Sequence, residues 1–362
     1  MDATTFQLSE SFSLRLKNIS ASLFLLVGAY LLYGVLPYYQ AIASKELFFF
    51  SYHFVTQDAL QLIYVGYGIL LFVYYLSDRN PRVSKSIYCL RVASRFVLAP
   101  LQTYREGLSS EERLGVLTNL LKAFFAPLMV PWLLDHTTHM ISNGDFIFHN
   151  PELLRIDFLT VFNAHGFWFL LQVILFFDVF FFTIGYLIEL PVLNNQIRSV
   201  DPTLLGWSVA LACYPPFNNL TSTIMGWTPI DFPHFANPVV HISANFLLLS
   251  LMAVYTSASV ALNFKASNLT HRGIIASGPY RIIRHPAYTC KNLAWWIAAT
   301  PGIAAAYEAS FFQFASAIAS VAGWSIIYAM RALTEEDHLR KVDGEYDKYC
   351  QKVRHRFIPG LL

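Results

Sequence analysis

About eight stretches of this chain stay apolar for close to twenty residues, the length an α-helix needs to cross the hydrocarbon core of a bilayer. They lie at 19–39, 59–76, 114–134, 158–188, 204–220, 239–264, 287–305 and 309–330. Lipid offers no hydrogen bonds, so a spanning segment must satisfy its backbone internally, as a helix or within a closed barrel. Runs of this length suit helices. The composition agrees: 55% hydrophobic, 16% aromatic and only 13% charged, well away from soluble averages. The expected fold is all-α and polytopic, with about eight transmembrane helices and the lipid bilayer as a partner. Lys122, Pro127 and Pro131 weaken the third stretch, Pro215-Pro216 breaks the fifth, and Pro301 lies near the end of the seventh. A formal net charge of +2 is too small to suggest nucleic acid.

The placement of charge orients the spans. With the N-terminus inside, the inner segments hold Arg15 and Lys17, then Arg79, Arg82, Lys85, Arg91 and Arg95, then Arg198, then the cations from Lys265 to Lys291, and then the tail. The outer segments hold little beyond Lys45 and Arg155. The positive-inside bias therefore puts both termini on the cytoplasmic side. Met1 to Ser20 is polar and mildly amphipathic, without a cleavable signal pattern. The inner loop from Asp78 to Arg113 is the largest soluble piece, and its 94–115 part reads as one or two interfacial amphipathic helices.

Isolated polar residues offer weaker leads. Cys89, Cys213, Cys290 and Cys350 form no Cys-x-x-Cys pair, so neither a zinc site nor a disulfide framework is expected. His136 and His139 sit in an expected outer loop and have no third ligand at a familiar spacing, so no metal site is assigned. Asp178 lies within a run of phenylalanines, and a carboxylate there must be paired or neutral. Lys122 is the expected structural partner. The segment from Tyr214 to Pro229 reads as an outer, turn-rich anchor or lid.

The chemistry concentrates near the C-terminus. Residues 278–288 read Gly-Pro-Tyr-Arg-Ile-Ile-Arg-His-Pro-Ala-Tyr. Gly278-Pro279 signals a turn. Pro286 biases His285 away from helical dihedrals and suits the first position of the next helix. The N-terminus of that helix, with Arg281 and Arg284 beside it, would favour an anion, and Tyr280 and Tyr288 add flat aromatic surface. The plainer alternative is that Arg281, Arg284 and Lys291 are positive-inside anchors. Arg331 and Glu335 share a helix face, and an ordinary i, i+4 ion pair is the plain reading there.

The run from His271 to Tyr288, followed by Arg331-x-x-x-Glu335-Glu336 and the tail from Tyr346 to Pro359, resembles the isoprenylcysteine carboxyl methyltransferase family. Those are integral membrane enzymes that use S-adenosylmethionine. The resemblance covers the last quarter of the chain. It implies that Arg331 holds a substrate carboxylate and acts as the catalytic residue. It also implies that Glu335 binds the cofactor together with Gly273, Ile274, Ile275, Tyr280, His285, Pro286, Ala287 and Tyr288, with Arg272 at a neighbouring position. Glu336, about 100° round the helix, is expected to matter less. The tail, with Tyr346, Tyr349 and Phe357-Ile358-Pro359, is expected to fold back as a lid. The domain reading is then an N-terminal transmembrane region, 1–263, with an access or anchoring role, and a catalytic region, 264–362.

The function expected on this reading is a membrane S-adenosylmethionine-dependent methyltransferase. Its substrate would be lipidic or amphiphilic, a prenylcysteine-type carboxylate among the candidates, and its site would face the cytoplasm. A carboxylate is already ionised at neutral pH, so no general base is required. Two other classes stand beside it. Membrane sterol and steroid reductases that use NADPH carry a similar Arg-His-Pro-x-Tyr motif. A non-enzymatic transporter or assembly factor finds support only in Lys122 and Asp178.

Overall fold

The computed structural model describes residues 3–49 and 52–360; the termini whose sidedness the charge bias assigns end in residues outside that range. The chain is 77% helical with almost no strand: it is an all-α polytopic membrane protein. It divides into two compact units, Met1–Pro131 and Trp132–Leu362.

In the first unit, α1 (Ala3–Val35) and α2 (Pro37–Ala43) lead to a short hairpin, β1 (Glu46–Phe49) and β2 (Tyr52–Val55), paired from Glu46↔Val55 to Phe49↔Tyr52. Helix α3 (Thr56–Ser77) follows and packs on α1. Then come α4 (Lys85–Leu98) and α5 (Pro100–Glu106), and α6 (Ser110–His149) begins. Ser84 caps α4 by accepting from the Ile87 N–H, one of the free donors at a helix start. Buried Asn18 grips the turn before α4: its Nδ2 donates to the Arg82 carbonyl at 2.8 Å and its Oδ1 accepts from Ser84 N at 2.9 Å. Arg95 joins the next two helices, reaching Glu106 at 3.0 Å and Glu112 at 2.8 Å. The amphipathic stretch expected at 94–115 is thus the end of α4, all of α5 and the first turns of α6.

The second unit begins inside α6. It continues through α7 (Pro151–Ile156), α8 (Phe158–Val161), a single π-helical turn at Phe162–Gly166 and α9 (Phe167–Leu187). A two-residue strand β3 (Ser199–Val200) precedes the short helices α10 (Leu204–Leu211) and α11 (Phe217–Met225). The rest is α12 (Pro238–Leu262), strand β4 (Thr270–His271), α13 (Pro286–Ala309), α14 (Phe311–Val342) and α15 (Glu345–Lys352). Helix α12 packs on α9 and α13, and α13 packs on α14. Phe167, Leu171, Leu248, Leu249, Ala294 and Ala298 fill one apolar core, and Trp295, Trp324 and Tyr328 fill another.

Among the described residues, six helices are long and apolar enough to cross a membrane: Glu10–Val35, Thr56–Ser77, Ser110–His149, Phe158–Leu187, Pro238–Lys265 and Phe311–Val342. The other two expected spans differ for identifiable reasons. The seventh forms one helix of 24 residues, α13, but Lys291, Asn292 and Glu308 make it less apolar than the six. The fifth is not one helix. It is α10 and α11, joined through Tyr214-Pro215-Pro216. Also corrected is the loop expected after residue 134. Helix α6 runs 40 residues through both Pro127 and Pro131, so His136 and His139 lie on a helix. A proline removes one backbone donor, and long apolar helices absorb that loss where neighbouring groups re-satisfy the freed carbonyl.

The chain around the broken fifth span runs antiparallel to α14, from Ser199, whose Oγ lies 3.0 Å from His338 Nε2, to Trp227, whose carbonyl accepts from Trp324 Nε1 at 3.0 Å. Fourteen residues of α14 separate those contacts, about 21 Å of helix. The break falls between them, beside Tyr328 and Arg331. Non-helical backbone at membrane depth is tolerated where it is buried in protein or lines a cavity.

Candidate active site

The loop between α12 and α13 is fastened before it reaches the site. A Cβ at Gly185 would lie 1.9 Å from the Ala266 carbonyl oxygen, so only glycine lets the end of α9 touch this loop. Buried Arg272 donates from Nη1 to Asn195 O and from Nη2 to Gly185 O, both at 2.6 Å. Strands β3 and β4 pair antiparallel, Ser199↔His271 and Val200↔Thr270. His271 Nε2 lies 2.8 Å from Asp343 Oδ2, while burial pulls the imidazole pKa below its ordinary value. Between these anchors Asn268 acts as a hub. Its backbone N–H and Nδ2 donate to the Tyr186 hydroxyl at 2.8 and 2.7 Å, and Nδ2 also donates to Tyr214 at 3.0 Å. Its Oδ1 accepts from Arg331 Nη2 at 2.8 Å.

The tail folds back, as expected of a lid. Arg284 N donates to His355 O and His285 N to Arg356 O, both at 3.0 Å. The Thr289 hydroxyl reaches Phe357 O, and the Tyr349 hydroxyl reaches Tyr280 O. The centre of this closure is Glu336, with no exposed surface at all. Its two oxygens meet Arg284 Nε at 2.8 Å, Arg356 Nε and Nη2 at 3.0 and 2.9 Å, Arg340 Nη2 at 3.0 Å and His285 Nε2 at 3.2 Å. Arg284 also donates to the Val353 and Arg354 carbonyls. Two sequence expectations change here. Glu336, expected to matter less, is the buried member of the acidic pair, because its face of α14 turns into the protein against four basic side chains. Arg284, expected beside an anion site, already holds a protein carboxylate and two tail carbonyls through its Nε and Nη1.

Inside the lid is a cavity of about 1320 Å³, part of it open to solvent. Its walls include Arg272, Gly273, Ile274, Ile275, Tyr280, His285, Ala287, Tyr288, Arg331 and Glu335. The structure therefore brings the residues singled out from the sequence to one place. Pro286 supports them as the first residue of α13 and is itself buried. Phe182, Tyr214, Tyr255 and Ser259, all ahead of residue 264, complete the walls. The Tyr288 hydroxyl donates to Glu335, and His285 stacks on the Tyr288 ring with centroids 5.6 Å apart. Burial raises the Tyr280 hydroxyl pKa well above the phenol value, so it stays protonated. Gly273 has φ +100°, a backbone conformation that disfavours any side chain, and Arg198 Nη2 and Lys265 Nζ approach its open side.

Arg331 is the unusual group. It is only 4% exposed, and its guanidinium carbon lies 4.9, 5.1 and 5.8 Å from the ring centroids of Tyr288, Tyr328 and Tyr214. Such rings attract a cation by their quadrupoles. Among the described residues the guanidinium's one hydrogen bond is to Asn268, and Nε has no partner. Among the described residues no carboxylate lies within ion-pair distance, so the expected i, i+4 pairing with Glu335 is not formed. A buried cation without a counter-ion is costly, and the cavity provides the space where an anion would relieve it.

Asp178 is held by hydroxyls, accepting from Tyr255 at 2.7 Å and from Ser259. His136 Nδ1 meets Gln172 at 2.6 Å, and His139 lies 3.5 Å from Asp135. No group of three metal-ligating side chains occurs among the described residues. Sequence reasoning missed Asn268, Tyr214 and Tyr328. Only Tyr214, beside a Pro-Pro break, carried a local signal.

Residues 231–353 match a protein family of unknown function, DUF1295, a family of steroid 5-alpha-reductase-like membrane proteins. The match covers about a third of the chain and takes in α12 to α15, the elements that supply most of the cavity wall. It is not a match to the methyltransferase family that the motif residues resemble. No curated protein and no solved structure matches the chain.

Proposed function

We propose that this protein is a membrane methyltransferase that binds S-adenosylmethionine in the cavity under the tail and methylates an anionic, amphiphilic acceptor held by Arg331. The observation that carries the reading is Arg331 itself: buried, ringed by three tyrosines and without a carboxylate partner among the described residues, at the wall of the cavity. The donor set suits the cofactor. Glu335 offers a carboxylate on the cavity wall for its amino or ribose hydroxyl groups, the Tyr288 ring suits a sulfonium, and the Gly273-Ile274-Ile275 strip suits its adenine. S-adenosylmethionine supplies an electrophilic methyl group when bound. The chain's own work is alignment and exclusion of water. Arg331 fixes the acceptor anion with charge-assisted hydrogen bonds, and the tail closes the cavity from the solvent side. Residues 264–362 carry most of this chemistry, and 1–263 contribute walls and membrane anchoring. On the charge bias we place the cavity and both termini at the cytoplasmic face.

A second reading is an NADPH-dependent reductase. The DUF1295 match favours it, as do Arg198 and Lys265 beside Gly273, since two cations flanking an open backbone suit phosphate. Titrating purified protein calorimetrically with S-adenosylhomocysteine and, separately, with NADPH tests both. Binding of the first alone supports the methyltransferase. Binding of NADPH alone overturns it in favour of the reductase.

A further inference from the structure

A second cation sits in the same membrane-embedded region, and the acceptor role of Arg331 leaves it unexplained. Lys291, on the second turn of α13, lines three cavities at once: the one under the tail, one beside α11 and one beside α6, the latter two partly open to solvent. Its ammonium lies 5.3 Å from the Tyr255 ring and 5.4 Å from the Trp295 ring. Among the described residues it makes no hydrogen bond and no ion pair. The carboxylates that act on it, Asp178 and Asp231, do so only from beyond ion-pair distance, and Asp178 already accepts two hydroxyls. A lysine at this depth is expensive and marks function by default.

Lys291 and Arg331 address a shared partition. Trp295, under Lys291, packs against Tyr328, under Arg331, with centroids 5.2 Å apart. The cavity beside α11 meets the one under the tail at Lys291 and Tyr328, and its other wall is polar, with Asn218, Ser222 and Thr223. The Asn218 Oδ1 atom there is buried without a partner. Lys291 and Arg331 both line the cavity under the tail, so a hydrophilic head held there can reach both cations.

We infer that the acceptor's head carries two separate anionic groups, one bound by Arg331 and the other by Lys291. The inference rests on the reading of the cavity as an enzyme site for an amphiphile, and names the class of that amphiphile. Each cation then gains the counter-ion that the protein does not provide, and Lys291 becomes the residue that selects a doubly charged head over a singly charged one.

The test uses the full chain in neutral detergent, with binding read calorimetrically. Dodecanoate and 2-dodecylsuccinate are titrated at pH 8, with a neutral dodecyl glyceryl ether as control. The dicarboxylate should bind about tenfold more tightly than the monocarboxylate, the size of one additional charge-assisted contact, and the ether should bind weakest. Lys291→Met should abolish that gap while still binding dodecanoate, and Arg331→Met should weaken both anions. Equal affinity of the two anions for the unaltered protein overturns the inference, without depending on any variant folding. A gap that survives Lys291→Met overturns it as well. S-adenosylhomocysteine is titrated into the same samples. Failure to bind it with the dicarboxylate preference intact defeats the methyltransferase reading alone; normal binding with no charge preference defeats this inference alone.

Discussion

Two buried arginines of the second unit, Arg284 and Arg331, stand in opposite surroundings. Arg284 is ion-paired: one carboxylate and two carbonyls take the N–H donors of its Nε and Nη1, and the same carboxylate binds three further basic side chains. Arg331 has one neutral amide oxygen and three aromatic faces. The first arrangement neutralises its charge within the protein and ties the tail to α14. The second has no counter-ion among the described residues. The difference teaches that a charged residue in an apolar environment has two quite different explanations, and that counting its partners separates them.

The largest expected effect falls on the lock. Glu336→Ala leaves Arg284, Arg340, Arg356 and His285 without their shared anion. Breaking a buried charge network costs about 3–5 kcal/mol. Thermal unfolding should show a large fall in midpoint, and limited proteolysis should release the tail. If Glu336→Ala matches the parent protein in both assays, the lock is not what holds the tail.

Arg331→Ala should cut turnover of an anionic acceptor by at least about a hundredfold, the loss of roughly 3 kcal/mol of charge-assisted binding in a desolvated site. The unfolding midpoint should change far less than in Glu336→Ala. A comparable loss of stability from both variants would erase the contrast between the two arginines.

Arg284→Lys sharpens the same comparison at smaller scale. The ammonium keeps the charge but cannot bridge Glu336 and the tail carbonyls with a planar fork. A destabilisation of about 1–2 kcal/mol by chemical denaturation is expected. Glu335→Ala should leave stability nearly unchanged and weaken cofactor binding by about tenfold in calorimetry. An unchanged affinity would remove Glu335 from the cofactor's wall.

The smallest effect expected concerns pH. Burial lowers the His271 pKa in the folded protein, so the folded state binds fewer protons there than the unfolded one. That contribution to stability is present above the ordinary histidine value of about 6.5 and is lost as pH falls below it. Hydrogen-exchange protection at residues 268–273, taken relative to the intrinsic rate at each pH, should therefore fall between pH 7 and pH 5, and His271→Gln should flatten that response.

Much of the site was legible because its residues fall within two short segments, 271–288 and 331–336, whose turn and helix-start signals are local. The face of α14 that turns inward was not. Glu335 and Glu336 are adjacent, and only packing against α13 and the tail decides which is buried. The places of Asn268 and Tyr214 in the site were not legible for a related reason, since they depend on contacts with residues over fifty positions away. Helix α6 was misjudged at its end because the cluster of polar residues after Leu134 looks like a loop. The fifth span was rightly suspected of a break, but nothing local indicates that the break faces Arg331.

Helix α14 is unbroken from Phe311 to Val342, about 48 Å of rise against a hydrocarbon core of about 30 Å. The same rigid rod therefore crosses the bilayer and carries Arg331, Glu335 and Glu336. Its depth is set by how its apolar length matches the surrounding lipid, and mismatch is relieved by tilting or by local deformation of the bilayer. Acyl-chain length thus becomes a control on where these three residues stand relative to the headgroups; on the reading proposed above, the composition of the host membrane would then help decide which amphiphiles can present their heads to the cavity.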